Sequence, residues 1–382
     1  MAQDGWFPAL QASPPSIPGA MGSLEDDEAL ILHLTSSSDE DAGRKTPFPA
    51  DLRAANLKLK RARRAGDEVA EAEANLDMAD LKLRSGKYTK AHGFAKTAFG
   101  LFAQDGGQAE SLRLMIRALL KQEKFESALK CAEEKVAFFR AKRNEEAAAI
   151  VELALSEVYV ELDRTRQAER SVNGALQTFL RKENEAWVAY ARKTAADVYF
   201  KIGKRTYVQK ALKAAEEAMP FFKKIGERKE ESELFLMISR CHLARQEFDD
   251  AILFAEYALA LSRESGCLWG EARAEIEQAK ICLALEDDSE KAATVAKHAA
   301  KKCRQTGDAL GEIAARHVMA QAYQAEGLVN MALEAMNEAL EKARALKDRH
   351  QIAAAMEAIL KVYQPEDALF VAEDEAERAQ RA

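Results

Sequence analysis

Cysteine is scarce and follows no pairing pattern: the five residues, Cys131, Cys241, Cys267, Cys282 and Cys303, are odd in number and scattered. That excludes a disulfide framework and fits a reduced compartment. No Asn-X-Ser/Thr acceptor occurs, no basic-then-apolar stretch opens the chain, and no apolar run approaches the ~18 residues of a membrane span. The expectation is a soluble, cytoplasmic protein. Proline is almost missing beyond residue 50, where only Pro220 and Pro365 occur; the other six lie in the first fifty residues. Because proline removes a backbone donor and clashes with the preceding helical turn, this split separates a non-helical leader from a helical body.

The motifs of catalysis are missing too. Gly86-Lys87 and Gly203-Lys204 lack the upstream glycine of a phosphate loop, and there is no Gly-X-Gly-X-X-Gly, His-Glu-X-X-His or Gly-X-Ser-X-Gly. Cys241 and His242 with Cys282 and His298 invite a zinc reading, but no Cys-X-X-Cys pair supports it. The expectation is no enzyme, no cofactor and no metal. The net charge of −7 belongs to the ends: residues 1–50 carry −6 and residues 366–382 carry −4, which leaves about +3 for the body. A body so balanced lacks the cationic excess of a non-specific nucleic-acid binder.

The Pro-, Ser- and acid-rich residues 1–50 cannot bury a core and read as a disordered leader. Within it, Trp6-Phe7 is a docking motif or an idle apolar pair. Ser23 and Asp26 have capping-box spacing before the apolar Ala29–Leu34. Ser36, Ser37 and Ser38 each have an acidic residue three positions on, the pattern of acidophilic kinase substrates. A basic helix is expected over 51–70; its Lys58–Arg64 run is either a solvated helix face, the blander reading, or an import tag.

From residue 71 to 347 one unit recurs. Ala91, Ala128, Ala168, Ala211, Ala251, Ala292 and Ala332 are separated by 37, 40, 43, 40, 41 and 40 residues. Small residues return four and seven positions later, as in Ala95 and Ala98 or Ala255 and Ala258, and Ala339 stands seven after Ala332. Residues at i, i+4 and i+7 share a helix face, so the stripe lets a neighbouring helix come close. A turn precedes each anchor, for example Gly86-Lys87-Tyr88 and Gly327-Leu328-Val329. Gly86, Tyr88, Ala91, Ala95 and Ala98, and again Phe248, Ala251, Ala255 and Ala258, stand at the spacings of the tetratricopeptide repeat. The period near 40 resembles the longer variant of kinesin light chain-type adaptors rather than the ~34-residue basic unit. Two departures stand out. Thr165 and Val172 replace the usual aromatic and Ala in the third unit, and the fourth has about three extra residues before Ala211, as a loop or an altered packing angle.

The resemblance implies an all-α, right-handed superhelical solenoid of about seven helix pairs, a capping helix over 348–365 and an acidic tail over 366–382. It implies a concave groove lined by first helices, presenting Arg113, Arg117, Lys121, Glu157, Glu161, Lys193, Asp197, Lys201 and Arg240. Three cations on one face suit an extended or helical partner peptide of acidic character; a solvated outer face is the alternative. The family's carboxylate clamp is not matched, since Leu76, Asp80, Leu114, Ile150 and Ala154 stand at its places. The expected function is a non-catalytic adaptor binding a protein partner, with neither membrane nor nucleic acid; the alternatives are a structural subunit of a motor, ciliary or cytoskeletal assembly and, behind it, an enzyme regulator. The acidic leader is hypothesised to compete for the groove, in which case deleting residues 1–50 tightens partner binding at low salt and unchanged affinity sinks the idea.

Overall fold

The computed structural model describes residues 50–285, 288–346 and 348–362, so Trp6-Phe7, Ser23, Asp26 and Ser36–Ser38 lie outside the described residues. Among those residues there are sixteen α-helices and no strand. Helix α1 (Ala50–Ala65) leads seven antiparallel pairs: α2 (Glu68–Arg84) with α3 (Tyr88–Leu101), α4 (Asp105–Lys121) with α5 (Phe125–Ala141), α6 (Glu145–Glu161) with α7 (Thr165–Arg181), and α8 (Glu185–Ile202) with α9 (Arg205–Ile225). Then come α10 (Arg228–Ala244) with α11 (Phe248–Glu264), α12 (Leu268–Ala284) with α13 (Ser289–Thr306), α14 (Ala309–Ala325) with α15 (Val329–Leu346), and the single α16 (Arg349–Val362).

Local chemistry sets the helix ends. Asp67, Asn144, Asn184 and Asp308 start α2, α6, α8 and α14 by accepting a backbone N–H in the first turn. Helices then stop through a left-handed residue that satisfies the last carbonyls: the Lys87 N–H donates to Lys82 O at 2.9 Å around Gly86, whose φ is +72°. Glu123, Arg143, Asp163, Glu183 and Gln246 hold the same conformation without being glycine. The small-residue stripe packs as its spacing predicts. Ala91, Ala95, Ala98, Ala251, Ala255, Ala258, Ala332 and Ala339 are buried, as is Tyr88.

Near the end of the second helices a second series runs through the stack. Phe139, Phe179 and Phe222 are fully buried, and their counterparts Ser262 and Cys303 are buried as well. At the small members of the series the next first helix packs tightly: a Cβ on Gly311 would stand 2.7 Å from Cys303 Sγ. Val172, which departs from the usual Ala, is fully buried. The extra residues of the fourth unit form neither loop nor gap. Arg205, Thr206 and Tyr207 lengthen α9 at its start, placing buried Val208 where Tyr88 stands in the first pair.

The first helices touch the next first helices, whereas no second helix reaches the next second helix, so first helices form the inside of the curve. The coil brings its start back against its later units. Leu346 lies against Gly86, the His350 N–H donates to Glu123 Oε1 at 3.2 Å, and Arg84 reaches Glu233 at 3.6 Å. At the two ends, Leu52, Ala55 and Leu59 of α1 cover Ala74 and Met78, and Ala355 and Ile359 of α16 cover the last pair. On the basic side of α1, Lys58 meets Asp77 at 2.9 Å and Arg63 meets Glu71 at 2.8 Å.

Candidate functional site

The inner face encloses a channel of about 1120 Å³. Six of the nine anticipated groove residues line it: Arg113, Arg117, Glu157, Lys193, Asp197 and Arg240. Lys121, Glu161 and Lys201 lie one turn further along their helices and form a second group, in which Lys201 bonds Glu161 at 2.9 Å. Spacing by four explains this placement, since i, i+4 and i+8 stay on one helix face.

The charges do not stand free. Arg117 Nε donates to Glu157 Oε2 at 3.2 Å, Arg240 meets Glu277 at 2.8 Å, and Lys193 is held between Glu230 and Glu233. Arg84 pairs with Asp80 at 2.8 Å, and Arg273 with Asp308 at 2.9 Å. The guanidinium groups of Arg84 and Arg273 both lie over the Trp269 ring, 5.2 and 5.1 Å from its centroid. The expectation of an acidic partner drew on exposed cations. Of the three cations it rested on, Arg117 meets Glu157 of the neighbouring unit, while Arg113 and Lys121 form no ion pair with a described residue; Lys193, Lys201 and Arg240 also meet carboxylates of neighbouring units, so the channel carries both signs in close balance.

Electrostatics follow from that crowding. Burial alone pushes the Glu233 carboxyl up, but Lys193 and Arg84 outweigh it and hold it at about 2. Glu277 is also lowered, by Arg240 and Lys280 against the cost of burial. Arg113 and Asp197 behave differently. Burial, reinforced by Arg117, lowers the affinity of Arg113 for its proton, and burial raises the Asp197 carboxyl because Lys193 compensates only in part.

The residues that sequence reasoning missed are the partners: Glu230, Glu233 and Glu277, with Arg84, Trp269 and Arg273 from the two ends of the coil. A signal for the first three was present. Arg117 and Glu157 are 40 residues apart, as are Lys193 and Glu233, and Arg240 and Glu277 are 37 apart. Opposite charges separated by one repeat period face each other across adjacent first helices. Nothing comparable pointed to Arg84 meeting Glu233.

The cysteine–histidine set does not assemble. Cys241 and Cys282 are buried at matching places in α10 and α12, and His242 Nδ1 bonds Glu247 at 2.8 Å and stacks on Phe254. Among the described residues one group, His242, Glu247 and Asp250, has donor atoms close enough for a metal, but Arg245 already takes Glu247 at 2.7 Å. No described helix is long and apolar enough to cross a membrane.

No family model and no curated protein matches the chain. Solved structures do. A signal-transduction ATPase with a tetratricopeptide repeat sensor from Pyrococcus horikoshii aligns at TM-score 0.56 and 15% identity over 84% of this chain and 50% of its own. This chain therefore spans half the length of that protein. RapI without ligand aligns at 0.52 and 11% identity, over 78% of this chain and 98% of its own. A Rap protein complexed with Competence and Sporulation Factor aligns at 0.50 and 13% identity, over 82% and 96%. The fold is that of a tetratricopeptide-like repeat solenoid.

Proposed function

We propose that the protein is a non-catalytic, cytoplasmic adaptor whose inner channel holds an extended or helical segment of a partner protein. The observation that carries the reading is the channel itself, lined by side chains that differ from unit to unit on a scaffold whose packing residues repeat. A preformed surface of this kind lowers the ordering cost of binding. Several ionisable side chains in the channel hold adjacent first helices together, which favours recognition over proton transfer. One structure of similar fold is a complex of a Rap protein with Competence and Sporulation Factor, in keeping with such a role.

Affinity purification from cell extract with the full chain as bait tests the reading, with Arg113→Gln/Lys121→Gln as the comparison. Both positions lack an ion-pair partner among the described residues, so the variant keeps the fold, as circular dichroism will verify. Partners lost from the folded variant support channel binding. Partners retained in equal amount by wild type and variant refute it.

A further inference from the structure

Three side chains in the channel stand apart from the satisfied network. Arg113 Nε is buried without an acceptor, and its guanidinium makes no ion pair with any described residue. Among the described residues Trp269 Nε1 likewise finds no acceptor although it is buried, while Arg84 and Arg273 lie over its ring. Asp197 lines the same space and bonds no described cation, while Lys193, one turn away on α8, is taken by Glu230 and Glu233. Buried polar groups are nearly always bonded, so unmet donors and an unmet carboxylate facing one cavity mark where a ligand supplies the missing partners. They lie on α4, α12 and α8, and all three line the channel.

We propose that Arg113, Trp269 and Asp197 are the recognition points for a partner peptide segment bearing both signs. A carboxylate of the segment sits on Arg113, a main-chain carbonyl accepts from Trp269 Nε1, and a cationic side chain sits on Asp197. The spacing of the helices sets the length. Helices α4 and α8 are separated by two steps of first-helix packing through α6. At ~8–10 Å a step and ~3.3 Å per extended residue, the carboxylate and the cation are about five residues apart. The lowered proton affinity of Arg113 and the raised Asp197 carboxyl are consistent with sites that lack their counter-charge. This inference rests on the reading of the channel as a peptide site and adds what the peptide carries.

Two synthetic random octapeptide libraries, one C-terminally free and one amidated, are passed over the immobilised full chain, and bound sequences are read by mass spectrometry. Retained peptides should pair an anionic group with a Lys or Arg about five residues away. Enrichment in both libraries assigns the anion to Asp or Glu, and enrichment in the free library alone assigns it to the terminal carboxylate; both support the proposal. Arg113→Met should cut binding of resynthesised hits at least tenfold, and Asp197→Asn should abolish the preference for a cation. Without peptide, both variants should melt above wild type, because neither charge has an ion pair with a described residue and burial costs each more than its neighbours return; a fall in either melting temperature makes that residue structural and overturns the proposal. Peptides enriched without the charge pattern and held equally by Arg113→Met also overturn it while leaving channel binding intact. No enrichment from either library refutes both.

Discussion

Replacing Arg117 with Met probes an ion pair between adjacent units in the channel. Besides Glu157 at 3.2 Å, Arg117 feels Asp80, Asp197 and Glu233, and together they raise its hold on its proton against the cost of burial. Coulomb attraction at that separation is ~5 kcal/mol at an effective dielectric of ~20 and ~1 kcal/mol in water. The Arg117 side chain keeps 31% of its exposure and Glu157 keeps 16%, so the pair falls between a surface pair, at ~0.2–1 kcal/mol, and a buried pair broken on one side, at ~3–5 kcal/mol. Met retains most of the apolar stem, which removes packing loss from the comparison. The expected cost is therefore ~2–3 kcal/mol, read as a lower urea midpoint by circular dichroism at 222 nm. The cycle with Glu157→Gln and the double variant should show a coupling of ~1–2 kcal/mol, within the range for contacting residues. A midpoint unchanged by Arg117→Met, or a coupling of zero, would refute the claim that charges one period apart tie adjacent units together.

Other outcomes follow from the packing and the caps. Ala91 packs against Leu83 and against Ala118 of the next unit, so Ala91→Leu should cost ~1–3 kcal/mol and speed amide exchange in both α2 and α4. Glu183→Gly and Gln246→Gly relieve side-chain-bearing residues at φ +54° and +64°; each should gain ~0.5–1 kcal/mol in the same urea assay, and a loss would mean those side chains contribute more than their strain. Acid should destabilise the array in a defined window. Glu233 binds its proton less readily folded than unfolded, so its contribution is full above its ordinary value of 4.5 and is lost as pH falls toward about 2. Melting temperature should drop across that window, and more gently in Glu233→Gln; parallel curves would contradict the assignment.

The channel was half legible in the chain. Spacing by four along α4, α6 and α8 placed Arg113, Glu157, Lys193 and Asp197 on the inner side, because a helix face is a local property. Their pairing was not legible from one helix at a time. Lys193 read as an available cation until α10 brought Glu230 and Glu233 to it.

The sequence by itself determined the unit and its number. Ala at anchor, anchor+4 and anchor+7 permits only close helix pairing, proline is nearly excluded beyond residue 50, and seven recurrences demand a stack; all three depend on neighbours within about one repeat. Only the tertiary structure decided how far the coil turns, and so which distant side chains meet. That angle is a sum of small offsets from each interface, among them the Phe139, Phe179 and Phe222 series giving way to Ser262 and Cys303. The accumulated turn brings Arg84 to Glu233 and His350 to Glu123. It also leaves Arg113 and Asp197 in the channel without an ion pair to any described residue.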